Sequence, residues 1–490
     1  MRYIVALDVG TTTVRCHIID ENAAVISSST EKVELIYEKR DHVEIEPNHL
    51  WTIIVKTVKD TINASGVDPN SFACFGISVQ RGTFICWNLL TGEYYHNFIT
   101  WKDLRADSMV KEWNNSIMIR GLRTVAYILY MLSKNKHYLA ISAFKFMNTQ
   151  ITLRLLWALQ HVSGLREAIM NDFVAFGSID CWLLYKLTGR HITDISSASA
   201  TGLFDPFTMK WATGILSLLK IPSHIFPEIV DTITNFGVTP KHIFGIEIPI
   251  VCCMADQSAS LFGSGCFQPG DMKITMGTGT FLNVNTGTKP HVSINEGASN
   301  DTGILMEWAK ALEIYKDVAE TADLAYSVDN SDGVYFIPAF TGLQAPINNH
   351  TAAAGFLGMK PTTKKGHIVR SLLESLVFRT LLLYDILRTE TRYTYKKIRI
   401  DGGVSQNDFI MQLLADLTGL EVERPVNVEM SIFGAAICAG LHCGIWKTKE
   451  ELKHLRKIDK IFKPNKSSQL CYQNTIAQWK RAVDRFKNWY

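Results

Sequence analysis

An α/β protein of more than one domain is the architecture this sequence predicts, and three observations carry the expectation. Short apolar runs of strand length, such as YIVALD at 3–8 and ACFGISVQ at 73–80, alternate with longer stretches of helical spacing. Glycine- and threonine-rich bends, DVGTTT near the start and MGTGT at 276–280, each sit between apolar runs that alternate like the arms of a hairpin. At 490 residues the chain has room for two or three domains with ample core.

Composition narrows the class. The chain is 47% hydrophobic and 20% charged, ordinary for a globular protein, and its net charge of +3 is too small to argue for nucleic acid or a membrane surface. Ten cysteines are scattered without a CxxC or Cys/His metal spacing, which reads as buried thiols in a reducing compartment. The start, MRYIVALDVG, enters a strand directly and shows no cleavage-site pattern, and no apolar run reaches membrane-spanning length. A cytoplasmic location is the expectation.

Taken in order, YIVALD and VRCHIID form a hairpin with hydroxyls at its tip and Asp8 at its strand end. Residues 23–37 read as a further strand pair. Trp51, Ile54, Val58 and Ile62 mark a helix over 49–65. ACFGISVQ is a buried parallel strand that delivers Gln80 and Arg81 to its carboxyl end, where α/β sheets place ligand contacts. FITWKDLRAD (98–107) repeats the pattern with Trp101. Residues 108–170 are helical, and their Ile and Leu read as helix packing. FGSIDCWLLYKLTG (176–189) reads as an amphipathic helix, followed by a Ser/Thr-rich connection.

The central stretch, 254–287, holds the most chemistry. It opens with Asp256 and Gln257 at the end of the apolar run IPIVCCMA, continues through a helical segment and a Pro-Gly turn, and closes in a hairpin around Gly277-Thr278-Gly279-Thr280. Glycines and threonines at such a bend let backbone N–H groups and hydroxyls approach a phosphate without Cβ obstruction. Beyond it lie a strand and Pro/Gly loop (332–346), a long helix (367–388), and KKIRIDGGVSQNDF, a strand running into a Gly-Gly turn and then a helix starting near Asn407 whose dipole points at that turn. SIFGAAICAGLHCG suits a tightly packed helix. The last segment puts Ile476, Trp479, Val483 and Phe486 on one stripe, as in a terminal helix docked on the body.

Neither G-x-x-x-x-G-K-[ST] nor G-x-G-x-x-G is present. Two Gly/Thr hairpins, a third glycine turn after a strand, and an aspartate before the second hairpin form instead the pattern of the actin-like ATPase (ribonuclease H-like) fold, two duplicated α/β domains with an interdomain ATP cleft. With RLLWALQ (154–160) and AGFLGMK…HIVRSLLE (354–374), the sequence resembles the FGGY carbohydrate kinases along its whole length, most closely the glycerol kinases in a divergent animal branch.

That resemblance implies an N-terminal domain over 1–248 with the first phosphate loop and polyol site, and a C-terminal domain over 249–490 with the second phosphate loop and adenosine site. It implies ATP-dependent phosphorylation of glycerol to sn-glycerol 3-phosphate. Asp256 would be the general base; Arg81 would hold polyol and phosphoryl charge, Gln257 would bind the polyol, and Trp101 and Phe281 would line its apolar side. Thr11, Thr12, Thr278, Gly303, Gly403 and Asn407 would meet ATP, and Asp8 would hold Mg²⁺ through water. Glu307 replaces an expected amide. A small polyol is the implied partner, with no nucleic acid and no membrane insertion; homodimers are common in the family.

Two departures temper the substrate. Gly82 stands where the glycerol kinases carry an acidic residue, and Thr149 aligns with an expected aromatic; water in the space left at Gly82 would recover part of the lost binding. The connection at 288–295 is shortened, with VSIN as a substitute strand after Lys289 and Pro290, or with a strand missing. The alternatives are therefore a kinase of another polyol or sugar, or a catalytically weak nucleotide-binding regulatory protein.

Overall fold

The computed structural model describes residues 1–39, 41–171, 173–287, 296–299, 301–391 and 393–490. The shortened connection and its VSIN segment lie outside the described residues. Two compact units form, residues 1–259 with 431–455, and residues 260–430 with 456–490.

Each unit is built on one six-stranded sheet. The first contains β1 (Tyr3–Val9), β2 (Thr13–Ile19), β3 (Val25–Lys32), β4 (Phe72–Val79), β5 (Ile233–Val238) and β6 (Pro249–Ala255), in the order β3-β2-β1-β4-β6-β5. The second contains β7 (Met272–Met276), β8 (Thr280–Val284), β9 (Glu296–Ser299), β10 (Lys397–Asp401), β11 (Glu421–Pro425) and β12 (Ile458–Phe462), in the order β9-β8-β7-β10-β11-β12. Both read as an antiparallel meander, then two parallel strands, then an antiparallel edge. The duplication expected from the paired hairpins is present. The edge strand is its one variation, since β5 precedes its neighbour in the chain whereas β12 follows.

Pairing explains where the units divide. Residues 249–255, assigned from sequence to the second domain, are β6, which pairs in parallel with β4 and so belongs to the first sheet. Helix Met430–His442 returns to the first unit as well. A Cβ on Gly76 of β4 would lie 2.6 Å from Ala435 O, so small residues on both sides allow helix and strand backbones to touch, as the sequence suggested.

Helices cover the sheets where periodicity placed them. Pro47–Ser65 starts at Glu46, whose carboxylate accepts from Asn48 N at 3.0 Å and His49 N at 2.5 Å, and ends at Gly66 with φ +62°. Lys365–Thr391 buries a broad face in the second core. The final helix, Lys466–Phe486, docks through Trp479, 1% exposed, whose indole donates to Phe336 O at 2.9 Å. Truncating such an anchor costs about 3–5 kcal/mol.

Three local readings change. Residues 23–37 contain one strand, β3, since the segment after Lys32 forms no second ladder among the described residues, just a bond from Val33 N to Thr12 O and the isolated bridge Ile36–Glu44. Residues 176–189 divide into the end of strand Val174–Ser178 and helix Ile179–Thr188, which is buried nearly all round and thus not amphipathic. In 108–170 the packing reading holds for Ile151–His161, which is mostly buried, but not for Ile117–Ser133, where only Ile119 and Ala126 are buried. Eight of the ten cysteines are buried, and all are free thiols. Among the described residues no helix is long and apolar enough to cross a membrane.

Candidate active site

The first glycine turn is locked by side chains from three segments. Gly10 N donates to Thr13 O at 2.9 Å, reversing β1 into β2. Parallel pairing of β4 with β1 brings Gln80 beside the turn, where its N donates to Val9 O (2.8 Å) and its Nε2 to Gly10 O (3.1 Å). Gln80 Oε1 accepts from Thr11 Oγ1 at 3.0 Å and Thr83 Oγ1 at 3.1 Å, and Trp101 Nε1 donates to Thr11 Oγ1 at 2.8 Å. Thr11 Oγ1 thus gives its proton to Gln80 and accepts one from Trp101, while Thr12 is exposed at the tip. Trp101, expected against substrate, is tied to the turn itself.

Asp8 sits on β1 opposite Arg15 of β2, 5% exposed. Its Oδ2 accepts from Ser431 Oγ at 3.1 Å and lies 3.9 Å from Arg15 Nη1, while its buried Oδ1 has no hydrogen-bond partner among the described residues. Burial pushes the carboxyl up to about 6, with the nearby Ser78 hydroxyl and then the Arg15 charge pulling the other way. An unmet carboxylate oxygen beside a phosphate-type turn fits a water ligand of Mg²⁺, which takes one or two carboxylates and keeps its waters.

Asp256 stands at the start of helix Asp256–Gly263, directly after β6. Its Oδ1 accepts from its neighbour Gln257 N at 2.7 Å and from Arg81 Nε at 3.2 Å. The two side chains are 28% and 21% exposed, open enough for a ligand to meet both. Gln257 itself is 6% exposed. Residues read only as a Ser/Thr-rich connection hold this strand end in place. Ala255 N donates to Ser196 Oγ (2.8 Å), Ser196 Oγ donates to Asp194 Oδ2 (2.6 Å), and Thr232 Oγ1 donates to the same oxygen (3.0 Å). Asp194 is wholly buried, and burial raises its pKa. A short D-x-S capping sequence before a helix was the available signal.

Gly82 has φ +71°, and a Cβ there would come 2.8 Å from Thr149 O and 3.3 Å from Trp101 Cβ. Arg154, buried, donates through Nη2 to Gly82 O (2.8 Å) and Thr149 O (3.1 Å). The space beside Gly82 is thus occupied by the Thr149 carbonyl, not left for water as the sequence suggested.

In the second unit three glycine positions meet at one bend. Met276 and Thr280 pair across the β7–β8 turn, and Gly277 N donates to Gly279 O at 3.0 Å. Gly303, in helix Thr302–Ala311, donates to Thr278 O at 3.0 Å, and a Cβ on it would lie 2.9 Å from Gly277 O. Gly402, φ +86°, presses on the same bend, its Cβ position 2.6 Å from Met276 O. Gly403 has nothing within 4 Å of its Cβ position. Asn407 caps helix Asp408–Thr418, accepting from Ile410 N at 3.0 Å and donating to Thr321 Oγ1 at 2.8 Å. Glu307 is exposed one turn beyond Gly303. Phe281 pairs with Thr275 across β7 and β8.

Beneath this bend lies a charged cluster that sequence reasoning missed. Lys273, fully buried on β7, donates to Ser260 Oγ at 2.6 Å and to Thr275 Oγ1, and stands 3.9 Å from Asp401 Oδ1. Ser260 Oγ donates in turn to Asp401 Oδ2. Asp401 directly precedes Gly402, so the cluster ties the β7 bend to the β10 turn.

Comparison with known proteins shows the family. Residues 3–263 match the N-terminal domain model of the FGGY family of carbohydrate kinases, and residues 272–443 match the C-terminal domain model. The chain is 44% identical to glycerol kinase 5 of Bos taurus, over all of this chain and 96% of that protein. It is 36% identical to glycerol kinase 2 of Thermotoga maritima, over all of this chain and 99% of that one. The crystal structure of Plasmodium falciparum glycerol kinase with ADP superposes with a TM-score of 0.84 at 26% identity, covering 99% of this chain and 98% of that one. The chain therefore belongs to the FGGY family of carbohydrate kinases, ATP-using phosphotransferases of two α/β domains.

Proposed function

We propose that this kinase transfers the terminal phosphoryl group of ATP to glycerol, giving sn-glycerol 3-phosphate and ADP. The observation that carries the reading is the Asp256 carboxylate held 3.2 Å from Arg81 Nε and 2.7 Å from Gln257 N, at a partly open strand end. Similarity to proteins named glycerol kinase supports the choice of alcohol.

In this reading the acceptor hydroxyl gives its proton to Asp256 as its oxygen forms the bond to phosphorus, and the bond to ADP breaks. Base assistance of this kind contributes about 10²–10⁴-fold. Arg81 orients the carboxylate and brings its positive charge to the polyol and to developing phosphoryl charge. Gln257 binds the polyol, with Trp101 and Phe281 on its apolar side. The turns at Thr11, Thr12 and Thr278 receive phosphate oxygens, Thr11 through its backbone because Gln80 takes its hydroxyl proton, and Gly303, Gly403 and Asn407 border the nucleoside. Bound Mg²⁺ would neutralise phosphate charge, and Asp8 is the residue that would hold it through water. The chemistry is mostly positioning, which suits turns already fixed by protein hydrogen bonds.

One observation favours a second reading, a kinase of another polyol or sugar. The carbonyl of Thr149, held by Arg154, fills the place beside Gly82, so no carboxylate stands there to meet the acceptor. A phosphorylation assay over a panel of polyols and keto-sugars with ATP decides the matter. Glycerol giving the highest kcat/KM supports the proposal; another acceptor exceeding it tenfold replaces glycerol; no acceptor at all returns the chain to a nucleotide-binding regulator.

A further inference from the structure

The face that the catalytic reading leaves unused is on helix Ile117–Ser133. Its inner side packs through Ile119 and Ala126, and Arg123 Nε donates to Ser142 O of the neighbouring helix Lys136–Ala143 at 3.2 Å. Its outer side is apolar and open. Ile117 is 90% exposed and Leu132 80%, with Met118, Leu122, Val125, Ile128, Leu129 and Met131 all between 38% and 55%.

At about 100° per residue these side chains span roughly half the helix circumference, far broader than the a/d seam by which two helices zip together. Charge is equally one-sided. From Trp113 to Arg166 the sequence contains seven Lys or Arg and no Asp or Glu. Arg120, Lys134 and Lys136 are exposed at the margins of the apolar arc. The whole-chain charge of +3 conceals this local excess.

We infer that helix Ile117–Ser133 seats the protein on an anionic phospholipid surface, apolar arc in the headgroup boundary and basic residues on the lipid charges. A broad apolar face on a helix whose own charges, and those of the helix after it, are all basic is the pattern of an interfacial helix. The attachment is peripheral and reversible, and it does not depend on which alcohol the kinase uses.

The test is co-sedimentation of the full chain with vesicles of phosphatidylcholine alone and of phosphatidylcholine with about a third phosphatidylserine, at low and high salt. Binding at least about tenfold tighter to the anionic vesicles, weakened by salt, is expected. Leu129→Glu with Leu132→Glu should abolish it, and Arg120→Gln with Lys136→Gln should remove the lipid preference, with thermal midpoints unchanged. Equal or absent pelleting with both vesicle types overturns the inference. So does concentration-dependent self-association, lost in the Leu129/Leu132 variant, without vesicle binding, which would make the face a contact between copies.

Discussion

The two glycine-threonine bends occupy the same place in two sheets of the same topology, yet they rest on opposite chemistry. In the first unit the residue two before the glycine is Asp8, a buried acid with one unmet oxygen. Its counterpart in the second unit is Thr275, bonded to the buried cation Lys273. Duplication preserved the strand order and the backbone bends, and the supporting side chains diverged. One bend stands over a buried acid and the other over a buried cation. A shared fold thus fixes where a ligand is met, and the residues beneath each turn decide what is met.

The largest effect should come from breaking the second foundation. Lys273→Met leaves Asp401 buried without its cation, at a cost of about 3–5 kcal/mol. Chemical denaturation should show that loss, with nucleotide affinity falling alongside; an unchanged midpoint would mean the cluster supports nothing. Asp301→Asn isolates burial of an acid from any ligand role. Burial pushes Asp301 up to about 6, although Thr341 Oγ1 donates to it at 2.8 Å. A carboxyl with a raised folded pKa binds protons more readily folded than unfolded, so its contribution to stability declines from about pH 4 to 6 and stays low above. The variant should therefore gain on the wild type by up to about 3 kcal/mol at pH 8, and the gain should shrink towards pH 4. A difference independent of pH would contradict it.

Gly402→Ala forces a side chain at φ +86° into the Met276 carbonyl, and a loss of about 1–3 kcal/mol is expected, read as weaker ADP binding by calorimetry. Gly403→Ala, with open space at its Cβ, is the control that should stay near wild type. Smallest is Thr11→Val, which removes the acceptor of Trp101 Nε1 but leaves Gln80 Oε1 bonded to Thr83. About 1 kcal/mol should be lost from stability. A loss as large as that of Lys273→Met would erase the asymmetry between the bends.

Much of the frame was legible in the sequence because strand and hairpin signals are local. The alternation in KITMGTGTFLNV, the apolar run before Gln80, and the Asn at a helix start each state their structure in a few residues. What stayed hidden depends on what lies across a sheet. Lys273 alternates with Met272 and Ile274 and so reads as a solvent-facing residue, but this sheet is covered on both faces. Asp194 and Ser196 lie some sixty residues before the strand end they hold. Residues 117–133 read as core because apolar spacing does not reveal whether a helix has a partner on that side.

The central claim is that the Asp256 carboxylate accepts the proton of the acceptor alcohol. Single-turnover phosphoryl transfer by Asp256→Asn, measured together with nucleotide affinity, tests it most directly. A rate lower by at least about 10²-fold with ATP affinity intact is expected. A variant that transfers phosphate at the wild-type rate would contradict it.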